Sequence, residues 1–206
     1  MDVQFYGANC LAVSYKNTRV VIDDNLSELG KKSVIRADDV SLWTSNQLSN
    51  DARLKFSGPG EYEVGDISIV GINAKPFMND DSGKSVTMFK LMTTDVSILV
   101  CGHILGELNT SQLEQIGTVD ALCVPIGNNG YTLDPIGALK LIKDIEPKIV
   151  IPTHYKQSGI KYPVEQLDLD KALKELGMEV KDKVSKLKIK SADLTDLTQL
   201  IVLETD

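Results

Sequence analysis

Histidine is nearly missing from this 206-residue chain, which holds only His103 and His154. Any chemistry that needs imidazole, as a proton shuttle or a metal ligand, is therefore confined to two places. Cysteine is also sparse. Cys10, Cys101 and Cys123 are odd in number, far apart and each beside apolar residues, so they read as buried free thiols in a reducing cytoplasm and not as a disulfide framework. The opening MDVQFYGANC has neither the basic start nor the apolar stretch of an export signal, and no apolar run approaches the roughly 20 residues of a membrane span. Positive charge is in deficit: the formal net charge of -7 leaves no bulk surface for neutralising phosphates. The one lysine-dense stretch, Lys181 to Lys190, alternates with Asp182 and apolar residues, as the solvated side of a strand does. Neither nucleic acid nor a membrane is an expected partner. The sequence also lacks a G-x-S-x-G elbow, a Walker loop and a C-x-x-C pair, and nothing in it gathers Ser, His and Asp into a triad.

What is present is ordinary globular composition, with 42% hydrophobic and 25% charged residues, enough for one sizeable core and for a single domain spanning 1–206. The first third is a series of short β-type runs: Val3 to Tyr6, Leu11 to Tyr15, Arg19 to Ile22, Val40 to Trp43, and Asp66 to Ile72 after the turn-rich SGPGEYEVG. Asn17-Thr18 suits a hairpin. Further runs follow at Val86 to Met92, Val96 to Cys101, Ala121 to Pro125 and Ile149 to Pro152, with helical segments at about Thr110 to Ile116 and Asp134 to Ile145. In the second helix Asp134 can cap, Pro135 sits in the first turn, and Ile136, Leu139 and Ile142 recur at helical spacing. A last helix over Leu167 to Leu176 stops at Gly177, and runs at Ser185 to Ile189 and Gln199 to Leu203 close the chain. Asn79 to Gly83 is the best candidate for a mobile loop. Strands first, then strands alternating with helices, predict two β-sheets packed face to face with helices outside.

Loops follow the strand ends in order: FYGAN, IDDN, LWTSNQLSND, GPGEYEV, VCGHILG, PIGNNGYTLDP and PTHYK. With these, and with GPGEYEV, the YTLDP turn and IEPKIVIPTHYK above all, the sequence resembles the metallo-β-lactamase superfamily from Met1 to about Leu203. It is most similar to the small single-domain branch of zinc-dependent hydrolases that includes the L-ascorbate-6-phosphate lactonases. The resemblance implies an αββα sandwich of two mixed sheets. It also implies zinc held between them by an H-x-H-x-D-H loop, a later Asp, a further His and a final His at a strand end. His154 matches that final ligand. The H-x-H-x-D-H positions fall on Thr44, Asn46, Leu48 and Ser49, the later Asp on His103 after Gly102, and the following His on Gly106. The early glycine-histidine of many relatives is Gly7-Ala8. Asp23, at the strand end that braces the metal loop in relatives, remains.

Hydroxyls, an amide and a leucine do not make a zinc site, which needs three or four nitrogen, thiolate or carboxylate ligands. The expected function is therefore a metallo-β-lactamase fold with a degenerate zinc site, non-catalytic and acting by binding or oligomeric assembly, with itself or with an intact paralogue, and with no cofactor. Two alternatives stand beside it. A remodelled mononuclear hydrolase site could use His103 and His154 with zinc, and Cys101, two residues before His103, would share its face if the strand extends that far. A small-anion sensor could use the loop Gly127 to Gly130, where Asn128, Tyr131 and Thr132 lie just before a helix start. The candidate cleft is thus Asp23, Thr44, Asn46, His103, Asn128, Tyr131, Thr132 and His154. Glu61 and Glu63, two apart within a β-run, read as one solvated face and not as a catalytic carboxylate pair.

Overall fold

The computed structural model describes residues 1–45, 50–78 and 85–205. Alternating apolar residues first produce β1 (Asp2–Gly7), β2 (Cys10–Tyr15), β3 (Thr18–Ile22), β4 (Val40–Trp43) and β5 (Leu54–Ser57). There follow β6 (Gly60–Val64), β7 (Ile67–Ala74), β8 (Val86–Met92), β9 (Ser97–Val100), helix α1 (Thr110–Ile116), β10 (Ala121–Pro125), helix α2 (Pro135–Ile145), β11 (Ile149–Thr153) and helix α3 (Leu169–Leu176). The chain ends on β12 (Val180–Val184), β13 (Leu187–Lys188) and β14 (Gln199–Leu203).

These strands form two sheets, a first in the order β13-β1-β2-β3-β4-β5 and a second in the order β12-β14-β11-β10-β9-β8-β7-β6. Both are mixed. In the first, β1 to β3 pair antiparallel and β3 to β5 parallel. In the second, β6 to β9 pair antiparallel and β9, β10, β11, β14 and β12 parallel. The side-chain period of two divides each strand between layers. On β2, Leu11 and Val13 enter the core between the sheets, while Cys10 and Ala12 face a smaller outer cluster. Phe5, Leu11, Ile22 and Leu42 meet Phe89, Leu91 and Ile98 across that core, each with under 3% of its surface exposed, and such a side chain contributes about 1.5–3 kcal/mol.

The helices pack together outside the second sheet, with α2 touching both α1 and α3 as well as β10. The first sheet is covered differently. Its outer face, with Tyr6, Cys10, Ala12 and Val21, is closed by Leu26, Leu29, Val34 and Ile35 of an irregular segment, together with Ile160 and Tyr162. Buried polar groups hold that segment: one Asp24 oxygen accepts from the Ser33 hydroxyl and from the Val34 and Ile35 N–H groups, and Arg19 pairs with Asp39.

Several local expectations need correction. Lys181 to Lys190 is not one strand: β12 joins the second sheet and the two-residue β13 the first. GPGEYEV is more than a turn, because Gly60 to Val64 form the edge strand β6, with Glu61 and Glu63 exposed as one solvated face. Helix α2 starts as expected, the Asp134 carboxylate accepting from Gly137 N–H, but its buried residues are Pro135, Ala138, Leu141, Ile142 and Ile145, and Ile136 is 70% exposed. The last helix begins two residues later, at Leu169. The Asn79 to Gly83 stretch lies outside the described residues. Among the described residues no helix is long and apolar enough to cross a membrane.

Candidate functional site

Strand ends from both sheets meet at one cleft. Ala8 follows β1, Asp23 follows β3, Thr44 follows β4, Gly102-His103 follow β9 and His154 follows β11. Ala8, Asp23 and His154 all take left-handed backbone, with φ of 50°, 51° and 51°. Non-glycine residues hold that conformation at a cost of roughly 1–3 kcal/mol each, so three together mark a place where the surrounding structure overrides local preference. Two backbone hydrogen bonds tie the sheets here: His154 N–H donates to Ala8 C=O at 2.8 Å and Thr87 N–H to Thr44 C=O at 2.8 Å. Glycine is required beside them. A Cβ on Gly127 would lie 1.9 Å from the His154 carbonyl oxygen, and one on Gly102 2.4 Å from the Thr44 hydroxyl.

The wall from the first sheet is hydrogen-bonded. Asp23 is buried, with one oxygen accepting from Thr44 N–H at 2.8 Å and the other from the Thr44 hydroxyl at 2.6 Å. Burial nevertheless outweighs those bonds and raises its carboxyl to about 6. The wall from the second sheet is aromatic. His103 and His154 stack edge to face with ring centres 4.6 Å apart, Tyr131 lies 5.0 Å from His103, and Tyr162 lies 5.2 Å from His154. Desolvation, with the neighbouring imidazole second, pushes His103 down to about 3. Desolvation also lowers His154, to about 4, so both rings are neutral at physiological pH.

Each ring has one fixed polar neighbour. The Asn9 side-chain amide nitrogen lies 3.4 Å from His103 Nδ1, while its oxygen accepts from the Thr153 hydroxyl at 3.1 Å. The Gln166 side-chain oxygen lies 3.1 Å from His154 Nδ1, while its nitrogen donates to Val164 C=O at 2.8 Å. Between the walls is a cavity of about 20 Å³ lined by Asn9, Asp23, Trp43, Ser45, His103 and His154, among others. His103 Nε2 and Trp43 Nε1 are both buried and have no hydrogen-bond partner among the described residues.

Of the residues singled out from sequence, Asp23, Thr44, His103, Tyr131 and His154 come together. Thr132 is fully buried with its hydroxyl unpartnered, and Asn128 is half-buried in a run of three left-handed residues with Asn129 and Gly130. In that loop Asn128 N–H donates to Leu133 C=O and Tyr131 N–H to Asn128 C=O, so neither is free for an anion. Asn46, Leu48 and Ser49 lie outside the described residues. Cys101 does not join His103. Strand β9 stops at Val100, Gly102 turns the chain at φ 63°, and the Cys101 thiol stays in the apolar core, pushed up to about 12 by burial. No group of three or more His, Cys, Asp or Glu able to hold a metal forms among the described residues. The donors at the cleft fit zinc poorly: two imidazoles remain beside a carboxylate whose oxygens are both engaged by Thr44. Sequence reasoning missed Asn9, Trp43, Thr153, Tyr162 and Gln166. Trp43 could have been found as the single tryptophan, next to Thr44 at a strand end; Gln166 carries no local signal.

Two mixed sheets with a cleft at their strand ends define the metallo-β-lactamase fold, and the chain is hydrolase-like in architecture. It belongs to the β-lactamase superfamily: the family model for a beta-lactamase superfamily domain matches residues 2–154. A Thermotoga maritima protein described as a candidate Zn-dependent hydrolase of the metallo-β-lactamase superfamily is similar over 100% of this chain and 99% of its own, at 24% identity and a TM-score of 0.74. Igni18, a metallo hydrolase from Ignicoccus hospitalis, is similar over 85% of this chain and 90% of its own, at 15% identity and a TM-score of 0.59. The metallo-β-lactamase fold protein YhfI from Bacillus subtilis aligns over 99% and 96% at 9% identity, with a TM-score of 0.59. At these identities the likeness is one of fold.

Proposed function

We propose that this superfamily member acts by binding or by assembly, and not by metal-dependent hydrolysis. One observation carries the reading: Thr44, which stands where a metal-binding histidine is expected from the family resemblance, gives its N–H and its hydroxyl to the Asp23 carboxylate, and the imidazoles at the cleft are His103 and His154. Hydrolysis in a site of this kind depends on a metal-bound water whose pKa is brought near 7, and two neutral imidazoles alone are a poor ligand set for such a metal. A second copy of the chain, or an intact family member, is the partner this reading favours. Three buried free cysteines agree with a reducing compartment.

The spacing of His103 and His154, 4.6 Å between ring centres, favours one competing reading, a mononuclear hydrolase built on that pair. Elemental analysis of protein purified without chelator, followed by calorimetric titration with zinc, separates the two. Well under one metal ion per chain and no zinc heat are expected. About one tightly bound zinc, iron or manganese per chain would overturn the binding reading and establish the hydrolase site.

A further inference from the structure

We propose that the cleft is a hydrogen-bonding pocket for a single uncharged oxygen atom, to which Trp43 Nε1–H and His103 Nε2–H donate. This deepens the reading above and rests on it for the absence of metal.

The hydrogen-bond network assigns the protons. In this structure the Asn9 oxygen lies 3.1 Å from the Thr153 hydroxyl and accepts from it, and the amide nitrogen of Asn9 faces His103 Nδ1 at 3.4 Å. A donor facing Nδ1 requires a lone pair there, which places the His103 proton on Nε2. For His154 the reverse holds. Gln166 donates its nitrogen to Val164 C=O and presents its oxygen to Nδ1, so His154 carries its proton on Nδ1 and a lone pair on Nε2. The two rings are therefore opposite tautomers. A metal-bound histidine gives its outer N–H to an acceptor, an arrangement that His154 has and that Asn9 inverts at His103.

Among the described residues His103 Nε2–H is thus a buried donor without a partner, and the indole N–H of Trp43, a residue only 3% exposed, is another. Both residues line the same cavity. A buried donor left unsatisfied is destabilising, so two on residues that line one cavity call for an acceptor between them. The cavity, about 20 Å³, exceeds the roughly 10–15 Å³ that one water needs. Charge narrows the choice further. The Asp23 carboxylate lines the same space, which disfavours an anion. Water, or the hydroxyl or carbonyl oxygen of a ligand, has the required size and polarity.

The test is long-range proton–nitrogen NMR of the full chain with labelled histidine and tryptophan near neutral pH. His103 is expected as the Nε2–H form and His154 as the Nδ1–H form, with the spectrum unchanged by equimolar zinc chloride. Cross-relaxation from water to the Trp43 and His103 N–H protons would establish a resident water. Displacement of that signal by methanol or formamide, with both N–H resonances shifting in wild type and the His103 resonance unmoved in Trp43→Phe, would establish a ligand oxygen. Sodium acetate moving both resonances at lower concentration than methanol would overturn the uncharged-oxygen assignment. Asn9→Asp puts an acceptor against Nδ1, so His103 is expected to switch to the Nδ1–H form and to respond to zinc. Finding His103 as the Nδ1–H form in zinc-free wild type sinks this proposal alone; zinc shifting both histidines of wild type sinks the metal-free reading beneath it. The wild-type tautomers decide the matter even where a variant fails to fold.

Discussion

The two walls of the cleft come from different sheets and are held by different forces. On the first-sheet side, a buried carboxylate survives because directional bonds from Thr44 replace its water. On the second-sheet side, His103, Tyr131 and His154 are neutral rings held by packing and by glycines that let backbone segments nearly touch. The contrast teaches where each wall is vulnerable: one to loss of a hydroxyl, the other to gain of a methyl group.

The largest effect is therefore expected on the packed side. Gly127→Ala drives a Cβ to 1.9 Å from a main-chain oxygen of His154 and 2.1 Å from the Gln166 side-chain oxygen, and we expect it to lose more than about 4 kcal/mol in urea unfolding. A loss under about 1 kcal/mol would show that this wall is loose and would break the comparison. On the bonded side, Thr44→Val keeps the shape and removes one donor to Asp23. A loss of about 1.5–3 kcal/mol is expected, the range for a hydrogen bond to a charged group, together with a further rise of the Asp23 pKa by NMR titration. An unchanged Asp23 pKa would mean that the hydroxyl does not support the carboxylate.

The smallest effect sets the walls against each other. Both histidines have folded pKa values below the ordinary 6.5, so their contribution is full above that value and is lost as the pH falls, because the unfolded chain takes up two protons first. Asp23 is raised to about 6, so its contribution has the opposite sign: full below its ordinary 3.8 and lost as the pH rises to about 6. Between about pH 6 and 4 the pair outweighs the single carboxyl by one proton, and stability should fall on acidification by about 1.4 kcal/mol per pH unit. In Asp23→Asn the fall should steepen to about 2.7 kcal/mol per unit. An unaltered slope in that variant would show that Asp23 ionises normally in the folded protein.

Much of this was legible in sequence where the cause is local. Pro135 after Asp134 announces a helix start, and the apolar run before His154 forms β11. What was not legible depends on distant partners. The Lys181 to Lys190 stretch reads as the solvated side of one strand, yet pairing with β14 and with β1 splits it between sheets. The shared face expected for Cys101 and His103 required the strand to continue, and the positive φ of Gly102 ends it. Asn9 and His103 are 94 positions apart, so no spacing rule brings them together; only the closing of the sandwich does.

The sheet margins described above bear on a different hazard, templated stacking of strands. At one edge of the larger sheet, β12 carries Lys181, Asp182 and Lys183, shifts register between Val180 and Asp182, and has its Lys183 N–H covered by the Asp182 carboxylate. At the other, β6 exposes Glu61 and Glu63. The smaller sheet ends on strands of two and four residues. Charge, a kink and brevity each deny an incoming chain the long flat ladder that amyloid-like growth copies.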